Sequence, residues 1–342
     1  MSRAQLTSTV EQNTGGAVAP FVAGKNKIIN GDYSVAQRGT SITLTTGSTV
    51  YTLDRWLATS LHSAGTATVS QQTFTPGTAP VAGYEGTYFC RFTLGSAGSP
   101  SAYMETYQRI EDVRIFAGQT VTLSFWAKAS VATNFSPYYS QNFGSGGSAA
   151  VTTSLSTISV TTSWVRYTQT FTLPSISGKT VGSSSYLQIA LFATYLTNSQ
   201  TLDIWGVQLE AGSVATPFTT ATGTLSGELT ACQRYYYRSS NSGSGAGYGA
   251  SGATQSTTSA YFFMPLPVQM RTNPTALEYS NVRIVNYGTA AYAISSMSLD
   301  TSSTTQNVGV FTADGATGMT ANRPVFLYGS SANNYVGFTA EL

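Results

Sequence analysis

The chain is organised around residues 113–129, which read VRIFAGQTVTLSFWAKA. A short turn at 117–119 leads into four apolar residues at every second position, Val121, Leu123, Phe125 and Ala127. This period-two alternation, rich in β-branched and aromatic residues, is typical of a strand with one buried face. We therefore expect residues 121–127 to form a central strand of a sheet.

Four further stretches have the composition of sheet partners for this strand. They are residues 27–33 (KIINGDY), 51–56 (YTLDRW), 164–173 (WVRYTQTFTL) and 202–210 (LDIWGVQLE). Other short apolar runs lie between them, separated by regular turn signals, and almost no helical period occurs. Many short strands of this kind predict an all-β fold, with a β-sandwich over residues 25–218.

The composition supports a folded β-protein with an unusually uncharged surface. The chain has 342 residues, of which 41% are hydrophobic and 12% aromatic, enough for a substantial core. Charged residues make up only 9%, against roughly a quarter in an average globular protein. The surface must therefore be covered mainly by Ser, Thr, Asn, Gln and Gly, as in all-β proteins with many turns.

The charge and hydropathy patterns exclude two classes of partner. The net charge is +2, and the basic residues are scattered singly, so no electrostatic footprint for nucleic acid is present. The apolar runs are far shorter than the ~20 residues of a membrane-spanning helix, so no membrane insertion is expected. The first ten residues also lack the apolar core of a signal peptide, so we expect release from a cell by another route, such as lysis.

The two ends of the chain differ from its middle. Residues 1–24 show no hydrophobic period, and they are equally consistent with a flexible tail and with an extended arm that docks onto a neighbouring subunit. Residues 219–342 are interpreted as a second, smaller β-domain. Within it we expect a Gly/Ser-rich loop at 239–258, and an edge strand or an extended packing segment at 261–268, which contains two prolines.

Few residues are suited to catalysis. His62 is the only histidine, which leaves a Ser-His-Asp triad or a His-rich metal site with almost no candidates. The nearest acid pairs, Glu111 with Asp112 and Asp203 with Glu210, are spaced so that their side chains point to opposite faces of a strand. We therefore expect a non-enzymatic protein with no catalytic residues, no metal and no cofactor.

The two cysteines, Cys90 and Cys232, could form one disulfide. We favour two buried free thiols, because an isolated cysteine behaves as a small hydrophobic residue.

Aromatic residues are the better indication of a binding function. Sugars lay their apolar ring faces on aromatic side chains, while neighbouring polar groups bind their hydroxyls. Three tryptophans in alternating strands, Trp126, Trp164 and Trp205, are predicted to be core residues, whereas Trp56 is ambiguous. The predicted glycan-binding residues are those in a predicted aromatic loop together with that ambiguous tryptophan: Tyr138, Tyr139, Asn142, Phe143 and Trp56.

A combination of motifs carries a family resemblance. The motifs are NKIINGDYSVAQRG (26–39), YTLDRW (51–56), FAGQTVTLSFWAK (116–128), SWVRY (163–167), DIWGVQLEAG (203–212) and CQRYYY (232–237). In this combination, which covers roughly residues 1–240, the chain resembles the jelly-roll domains of tailed-bacteriophage fibre and virion structural proteins. The domain is also similar to carbohydrate-binding modules with a galactose-binding-like jelly roll. Sugar-binding residues vary in that family, so none is transferred to this chain.

The resemblance implies a component of the virion without catalytic activity. It favours a tail-fibre or receptor-binding protein whose jelly roll contacts a host surface polysaccharide. The alternative is a capsid decoration, head-fibre or tail-assembly protein with no glycan ligand. Under both hypotheses residues 1–24 would bind other virion proteins, the chain would form a homotrimer, and assembly would take place in the host cytoplasm.

Overall fold

A computed structural model describes residues 24–62, 65–82, 84–95, 102–197, 199–286 and 291–342. The chain divides into two compact units. Unit 1 comprises Met1–Ser34 and Thr40–Glu228, and unit 2 comprises Val35–Gly39 and Leu229–Leu342. The division after Glu228 falls inside the helix α1 (Leu225–Gln233). The predicted domain limits at 24/25 and 218/219 stay predictions.

Unit 1 is built from antiparallel strands. In chain order they are β1 (Ser41–Leu44), β2 (Thr49–Tyr51), β3 (Trp56–Leu61), β4 (Ala67–Thr73), β5 (Tyr88–Leu94), β6 (Ala102–Glu111), β7 (Thr120–Ala129), β8 (Thr133–Phe135), β9 (Tyr138–Asn142), β10 (Val151–Ser154), β11 (Ile158–Val160), β12 (Val165–Thr172), β13 (Tyr186–Leu196) and β14 (Gln200–Ala211). Sheet I has the order β1-β4-β5-β14-β7-β12, and sheet II has the order β10-β9-β13-β6-β3-β2. Strands β8 and β11 form a separate pair.

Strand β7 lies inside sheet I, between β12 and β14, as its alternation predicts. The turn before it is also confirmed, because Gly118 has a φ of 74° and its N–H donates to the carbonyl of Leu173. The alternate residues Val121, Leu123, Phe125 and Ala127 face sheet II and are fully buried. The two sheets meet in the interior, where the Phe92 and Phe192 rings lie 5.0 Å apart. The predicted all-β jelly-roll sandwich is therefore confirmed.

Two of the four predicted partner strands are confirmed and two are corrected. Residues 164–173 and 202–210 correspond to β12 and β14. Residues 27–33 form turns instead of a strand, because Asn30 and Tyr33 adopt positive φ values of 58°, which a strand does not allow. Residues 51–56 contain a turn between β2 and β3, which is closed by the Thr52 N–H donating to the Trp56 carbonyl at 2.8 Å.

The predicted loop at 134–143 is wrong. This segment forms β8 and β9, and β9 pairs with both β13 and β10. Pro137, which favours a loop in the sequence, lies between the two strands and interrupts neither of them. The serine of β9 is accommodated because Ser140 shares a cross-strand hydrogen bond with Thr152 at 2.8 Å.

Unit 2 is a second, smaller β-structure. Its strands are β15 (Tyr236–Asn241), β16 (Gly247–Thr254), β17 (Ser259–Pro265), β18 (Ala276–Ser280), β19 (Val282–Asn286), β20 (Ala291–Ala293), β21 (Ser296–Leu299), β22 (Val308–Asp314), β23 (Pro324–Gly329) and β24 (Asn334–Thr339). They form a three-stranded sheet, β15-β24-β18, and a seven-stranded sheet, β20-β19-β23-β16-β17-β22-β21. A core that includes Phe262, Phe311 and Phe338 holds unit 2 together.

Two expectations for unit 2 are wrong. The Gly/Ser-rich segment 239–258 contains half of β15 and all of β16, because its small residues fit between β17 and β23. Strand β17 is central, since it pairs with β16 on one side and β22 on the other. Its Pro265 is accommodated as the last residue of the strand.

The predicted N-terminal arm, residues 1–24, lies outside the described residues except for Gly24, whose N–H donates to the Ala221 carbonyl at 3.0 Å. Cys90 and Cys232 are buried free thiols, as expected. Among the described residues, no helix combines the length and the apolar character needed to cross a bilayer.

Candidate functional site

The outer face of sheet II carries a concentration of tyrosines. Because side chains alternate along a strand, every second residue of β3, β6, β9 and β13 points away from the sandwich interior. The side chains that matter most on this surface, which we call the tyrosine face, are Tyr51, Tyr103, Tyr107, Tyr138, Tyr186, Tyr195, Glu105, Arg109 and Gln188.

Strand β6 forms the centre of the tyrosine face. Its sequence, AYMETYQRIE, places Tyr103, Glu105, Tyr107 and Arg109 outward, while the residues between them point inward. Pairing with β3 and β13 then sets each outward residue in a row across the sheet. Tyr103, for example, lies between Leu61 and Tyr195.

Glu105 is at the centre of the polar contacts on the tyrosine face. The Tyr103 hydroxyl donates to its Oε2 at 2.8 Å, and the Tyr138 hydroxyl donates to its Oε1. The Gln188 amide in turn donates to the Tyr138 hydroxyl at 2.9 Å. Glu105 itself is only 9% exposed, so the two phenols satisfy most of its hydrogen-bonding need. The result is an ordered polar line across β6, β13 and β9.

The two phenols in this line are held in their neutral form. Burial raises the pKa of both Tyr103 and Tyr138, and the hydrogen bonds to the Glu105 carboxylate raise it further. Both hydroxyls therefore remain hydrogen-bond donors at neutral pH. Carboxylate, phenol and amide groups together present acceptors and donors to an incoming ligand.

Arg109 provides a cation at one end of the face. Its guanidinium lies 4.7 Å from the Tyr186 ring centroid and 5.7 Å from that of Tyr107. Its Nε also approaches Gln188 Oε1, at 3.5 Å. Stacking of this kind fixes the guanidinium plane.

The opposite end of the face is apolar and open. Tyr195 is 68% exposed and Leu61 is 52% exposed, on either side of Tyr103. The Tyr103 and Tyr195 rings meet edge to face with centroids 5.5 Å apart. Both rings line a cavity of about 600 Å³ that is also bordered by Asn134 and Thr194. Exposed rings beside polar side chains suit a ligand with an apolar face and hydroxylated edges.

Two of the five predicted glycan-binding residues lie on this face. Tyr138 contacts Glu105, and Asn142 lies in the same cross-strand row as Tyr186. Their role as ligand-binding residues stays a prediction.

The predicted accessibility of Tyr139, Phe143 and Trp56 is wrong. Their side chains are 3%, 1% and 1% exposed, so no ring face is available to a sugar. Tyr139 points inward from β9 and stacks on Phe171 at 5.1 Å. Trp56 packs on Tyr33 and donates its indole N–H to the Asn30 carbonyl at 3.0 Å. Tyr139 is inaccessible because residues 138–142 form a strand, in which neighbouring rings point to opposite faces.

Sequence reasoning missed Tyr103, Glu105 and Tyr195 as site residues. A signal was present, because residues 102–111 alternate between outward Tyr, Glu, Tyr and Arg and inward residues. An acidic residue two positions from aromatic residues in a strand places all of them on one face. What the sequence could not show is that β13 brings Tyr195 beside Tyr103.

The tryptophans predicted to be core residues are buried or half-buried. They lie on the outer face of sheet I and not between the two sheets. Trp126 and Trp205 are buried on the outer face of sheet I, where they pack with Phe74, Phe89 and Phe218. Trp164 packs against the same cluster and is only half-buried.

The candidate catalytic residues have structural partners. His62 is buried, and its Nδ1 shares a hydrogen bond with Ser60 Oγ at 2.9 Å. Asp203 pairs with Arg91, and Glu210 pairs with Lys25. No group of three or more His, Cys, Asp or Glu side chains that could hold a metal ion occurs in the part of the chain that the structure describes.

Residues 69–183 match the model of a protein family described as a carbohydrate binding domain. The matched residues lie within unit 1 and include all of β6 and β9, so this part of unit 1 is similar to such domains. None of the curated proteins matches the chain.

Several solved structures are similar to part of the chain. An enzymatically active domain of bacteriophage CBA120 tailspike protein 4 shares 16% identity, with 55% of this chain and 22% of that chain covered and a TM-score of 0.35. A xylan-binding domain from Paenibacillus barcinonensis shares 11% identity, with 57% and 99% covered and a TM-score of 0.32. The N-terminal cellulose-binding domain of β-1,4-glucanase C from Cellulomonas fimi shares 17% identity, with 54% and 95% covered and a TM-score of 0.29.

Proposed function

We propose that unit 1 is a non-catalytic module that binds a glycan chain on the tyrosine face. The observation that carries this proposal is Glu105, a buried carboxylate held by Tyr103 and Tyr138 at the centre of an aromatic surface. An ordered carboxylate with exposed rings beside it offers what a sugar needs, namely an acceptor for hydroxyls and a surface for the C–H face. The match of residues 69–183 to a carbohydrate binding domain supports the same function.

The dimensions of the face favour an oligosaccharide over a single sugar. The outward residues of β6 run from Tyr103 to Arg109, which corresponds to about 20 Å at ~3.4 Å per residue. The apolar end has exposed Tyr195, and the other end has the Arg109 cation stacked on tyrosines. A ligand that spans both ends would be several sugar residues long.

We propose further that the protein is a component of a bacteriophage virion, most specifically a tail fibre or receptor-binding protein. The support is the resemblance carried by motifs such as those at 26–39 and 203–212. In this proposal residues 1–24 anchor the chain to other virion proteins, the chain assembles as a homotrimer, and the tyrosine face contacts a polysaccharide on the host surface.

A glycan array probed with the full-length protein tests the binding function. We expect binding to a subset of oligosaccharides, and the Tyr195→Ala variant should lose most of that signal because it removes the most exposed ring of the face. An array with no signal for the wild-type protein would contradict glycan binding. It would favour the alternative role as a capsid decoration, head-fibre or tail-assembly protein.

Deletion of residues 1–24 tests the proposed anchoring separately. The truncated protein should keep its array signal and fail to enter virus particles, as measured by immunoblotting of purified particles. Incorporation at the wild-type level would contradict the anchoring role of these residues. The mass of the purified protein in solution tests the homotrimer.

A further inference from the structure

A row of charged and aromatic side chains crosses the outer face of sheet I, on the side of the sandwich opposite the tyrosine face. Lys128 on β7 pairs in register with Asp203 on β14, which pairs with Arg91 on β5. Trp164 immediately precedes β12 and adjoins Lys128, since Val165 pairs with Ala127. The row therefore reads Trp164, Lys128, Asp203, Arg91 across four strands.

The carboxylate in this row is already bound by one of its two cations. Arg91 donates Nε to Asp203 Oδ1 at 2.6 Å and Nη2 to Oδ2 at 2.7 Å, which is the bidentate geometry of a strong pair. Lys128 Nζ lies farther from Oδ2, at 3.5 Å. Its side chain is 32% exposed. Two cations face one carboxylate, so the row has an excess positive charge at Lys128.

An aromatic cavity adjoins this ammonium group. The cavity has a volume of about 260 Å³ and is lined by Lys128, Trp164, Phe74, Phe89 and three threonines. The Trp164 ring is held 5.6 Å from the rings of both Phe74 and Phe89, and Lys128 Nζ lies 5.2 Å from its centroid. Trp164 is half-buried. The cavity thus combines a fixed aromatic wall with a partly exposed ammonium group whose ion pair with Asp203 is long.

We propose that this cavity, called the Lys128 cavity, binds a single sugar residue that bears a carboxylate, such as a uronic acid. The carboxylate would accept hydrogen bonds from Lys128 Nζ, and the sugar ring would pack against Trp164. The volume is below the ~300–1,000 Å³ typical of sites for drug-sized ligands, which limits the ligand to about one ring. This site is separate from the tyrosine face and does not depend on the function proposed for it.

The chemistry of the cavity favours an acidic sugar over a simple anion. A small ion would use the ammonium alone, whereas the tryptophan ring and the threonine hydroxyls of Thr73, Thr75 and Thr78 add contacts for a hydroxylated ring. A neutral sugar would use the ring and leave the excess charge at Lys128 unpaired. A ligand with both features is therefore expected to bind more tightly than a ligand with either one.

The indole signals in a proton–nitrogen NMR spectrum provide a local readout. The chain has four tryptophans. Titration of the full-length protein with D-glucuronate should shift the Trp164 indole signal. The Trp56 indole signal should not move, because its N–H is bound to the Asn30 carbonyl in the interior. D-glucose and acetate, each of which has one half of the proposed chemistry, should shift the Trp164 signal only at much higher concentration.

Charge-removing variants then locate the interaction. Lys128→Met should weaken glucuronate binding by about tenfold, the factor for one charge-assisted hydrogen bond. Lys179→Met is the matched control, because Lys179 is an exposed lysine of unit 1 that lies beside Phe143, away from the cavity. The control should bind as the wild type does. Tyr195→Ala should also leave the Trp164 shift unchanged, which separates this site from the tyrosine face.

Three results would overturn the proposal. The first is the absence of a Trp164 shift with glucuronate in the wild-type protein. The second is a shift with acetate at the same concentration as with glucuronate, which would mean that only an ion binds. The third is equal glucuronate affinity in the Lys128→Met and Lys179→Met variants. The wild-type comparison of the three probes decides the matter even if a variant fails to fold.

Discussion

The two outer faces of unit 1 are both rich in aromatic residues, yet one is covered and the other is open. On sheet I, Trp126 and Trp205 are buried beneath Phe74 and Phe218. On sheet II, the tyrosines other than Tyr107 remain partly accessible, and Tyr195 is largely exposed. The covered face uses rings that are wholly or mainly apolar, whereas the open face uses rings that carry a hydroxyl. The kind of aromatic residue thus distinguishes a second core from a binding surface.

This difference follows from the free-energy cost of removing a polar group from water and the gain from removing an apolar one. A tyrosine on an open face keeps its hydroxyl bound to water or to a neighbour such as Glu105, while its ring offers contact area. Trp205 is fully buried and packs with Trp126 at 5.2 Å and Phe218 at 5.1 Å, which removes a large apolar area from water. Apart from the Lys128 cavity, the covered face should therefore govern stability, whereas the open face should govern the binding of a glycan chain.

The largest expected effect is on the covered face. Trp205→Ala should lower the free energy of unfolding by ~3–5 kcal/mol, since it removes a buried ring and leaves a cavity. All four tryptophans of the chain lie in unit 1, so their fluorescence during urea unfolding follows that unit alone. Tyr195→Ala on the open face is the comparison and should change stability by no more than ~0.5 kcal/mol. Equal losses of unfolding free energy in the two variants would contradict the distinction between the two faces.

A smaller loss of stability is expected for a substitution of Glu105 at the centre of the open face. Glu105→Gln keeps the shape of the side chain but replaces one acceptor oxygen with an N–H donor opposite a tyrosine hydroxyl. We expect a loss of ~1–3 kcal/mol in unfolding free energy, together with weaker glycan binding. Urea unfolding and array binding measure the two effects. If binding and stability both match the wild type, Glu105 is not the organising group of the face.

The loss of stability at acid pH should come from a residue of the covered face, Glu210. Burial raises the pKa of Glu210, but hydrogen bonds from Thr216, Gln208 and Lys25 outweigh it, and the net pKa lies below the ordinary value of 4.5. The folded state therefore binds fewer protons than the unfolded state near this pH, and the stabilisation is lost as the pH falls through the lowered value. Glu210→Gln should make the unfolding free energy less dependent on acid pH. An unchanged acid dependence would exclude Glu210 as its source.

The loss of stability at alkaline pH should come from the open face. This titration should have little effect near neutral pH. Burial and the Glu105 carboxylate raise the pKa of Tyr138 above the ordinary value of 10.0. The resulting stabilisation is complete below 10.0 and is lost as the pH rises through the raised value. Tyr138→Phe should therefore reduce the alkaline fall in unfolding free energy. At neutral pH it should also cost about 1–3 kcal/mol, because Glu105 Oε1 loses its donor. A variant that falls as steeply as the wild type would contradict this.

The sequence predicted regular, locally coded elements well. The alternation of residues 121–127 identified β7, and similar patterns identified β12 and β14. Alternation reports which residues share a face, because it depends only on strand geometry. The predictions at 27–33 and 51–56 were wrong, because positive φ values at Asn30 and Arg55 create turns inside apolar runs.

The candidate site was predicted only in part because it depends on strand pairing. Tyr138 was identified as a site residue, but its partners Glu105 and Gln188 come from β6 and β13. Nothing in one sequence shows that residues 105, 138 and 188 meet. The covering of Trp126 and Trp205 is likewise a tertiary effect, because Phe218 lies beyond β14 and folds back over the sheet.

The most direct test of the account compares one exposed tyrosine from each face. A glycan that binds the wild-type protein on the array is titrated calorimetrically into the Tyr195→Ala and Tyr84→Ala variants. Tyr84 is a suitable control, because it is 39% exposed and packs on Trp205 on the covered side. We predict that Tyr195→Ala weakens binding at least about tenfold, as expected for an aromatic anchor, while Tyr84→Ala binds like the wild type. Unchanged affinity in Tyr195→Ala with a loss in Tyr84→Ala would contradict the assignment of glycan binding to the tyrosine face.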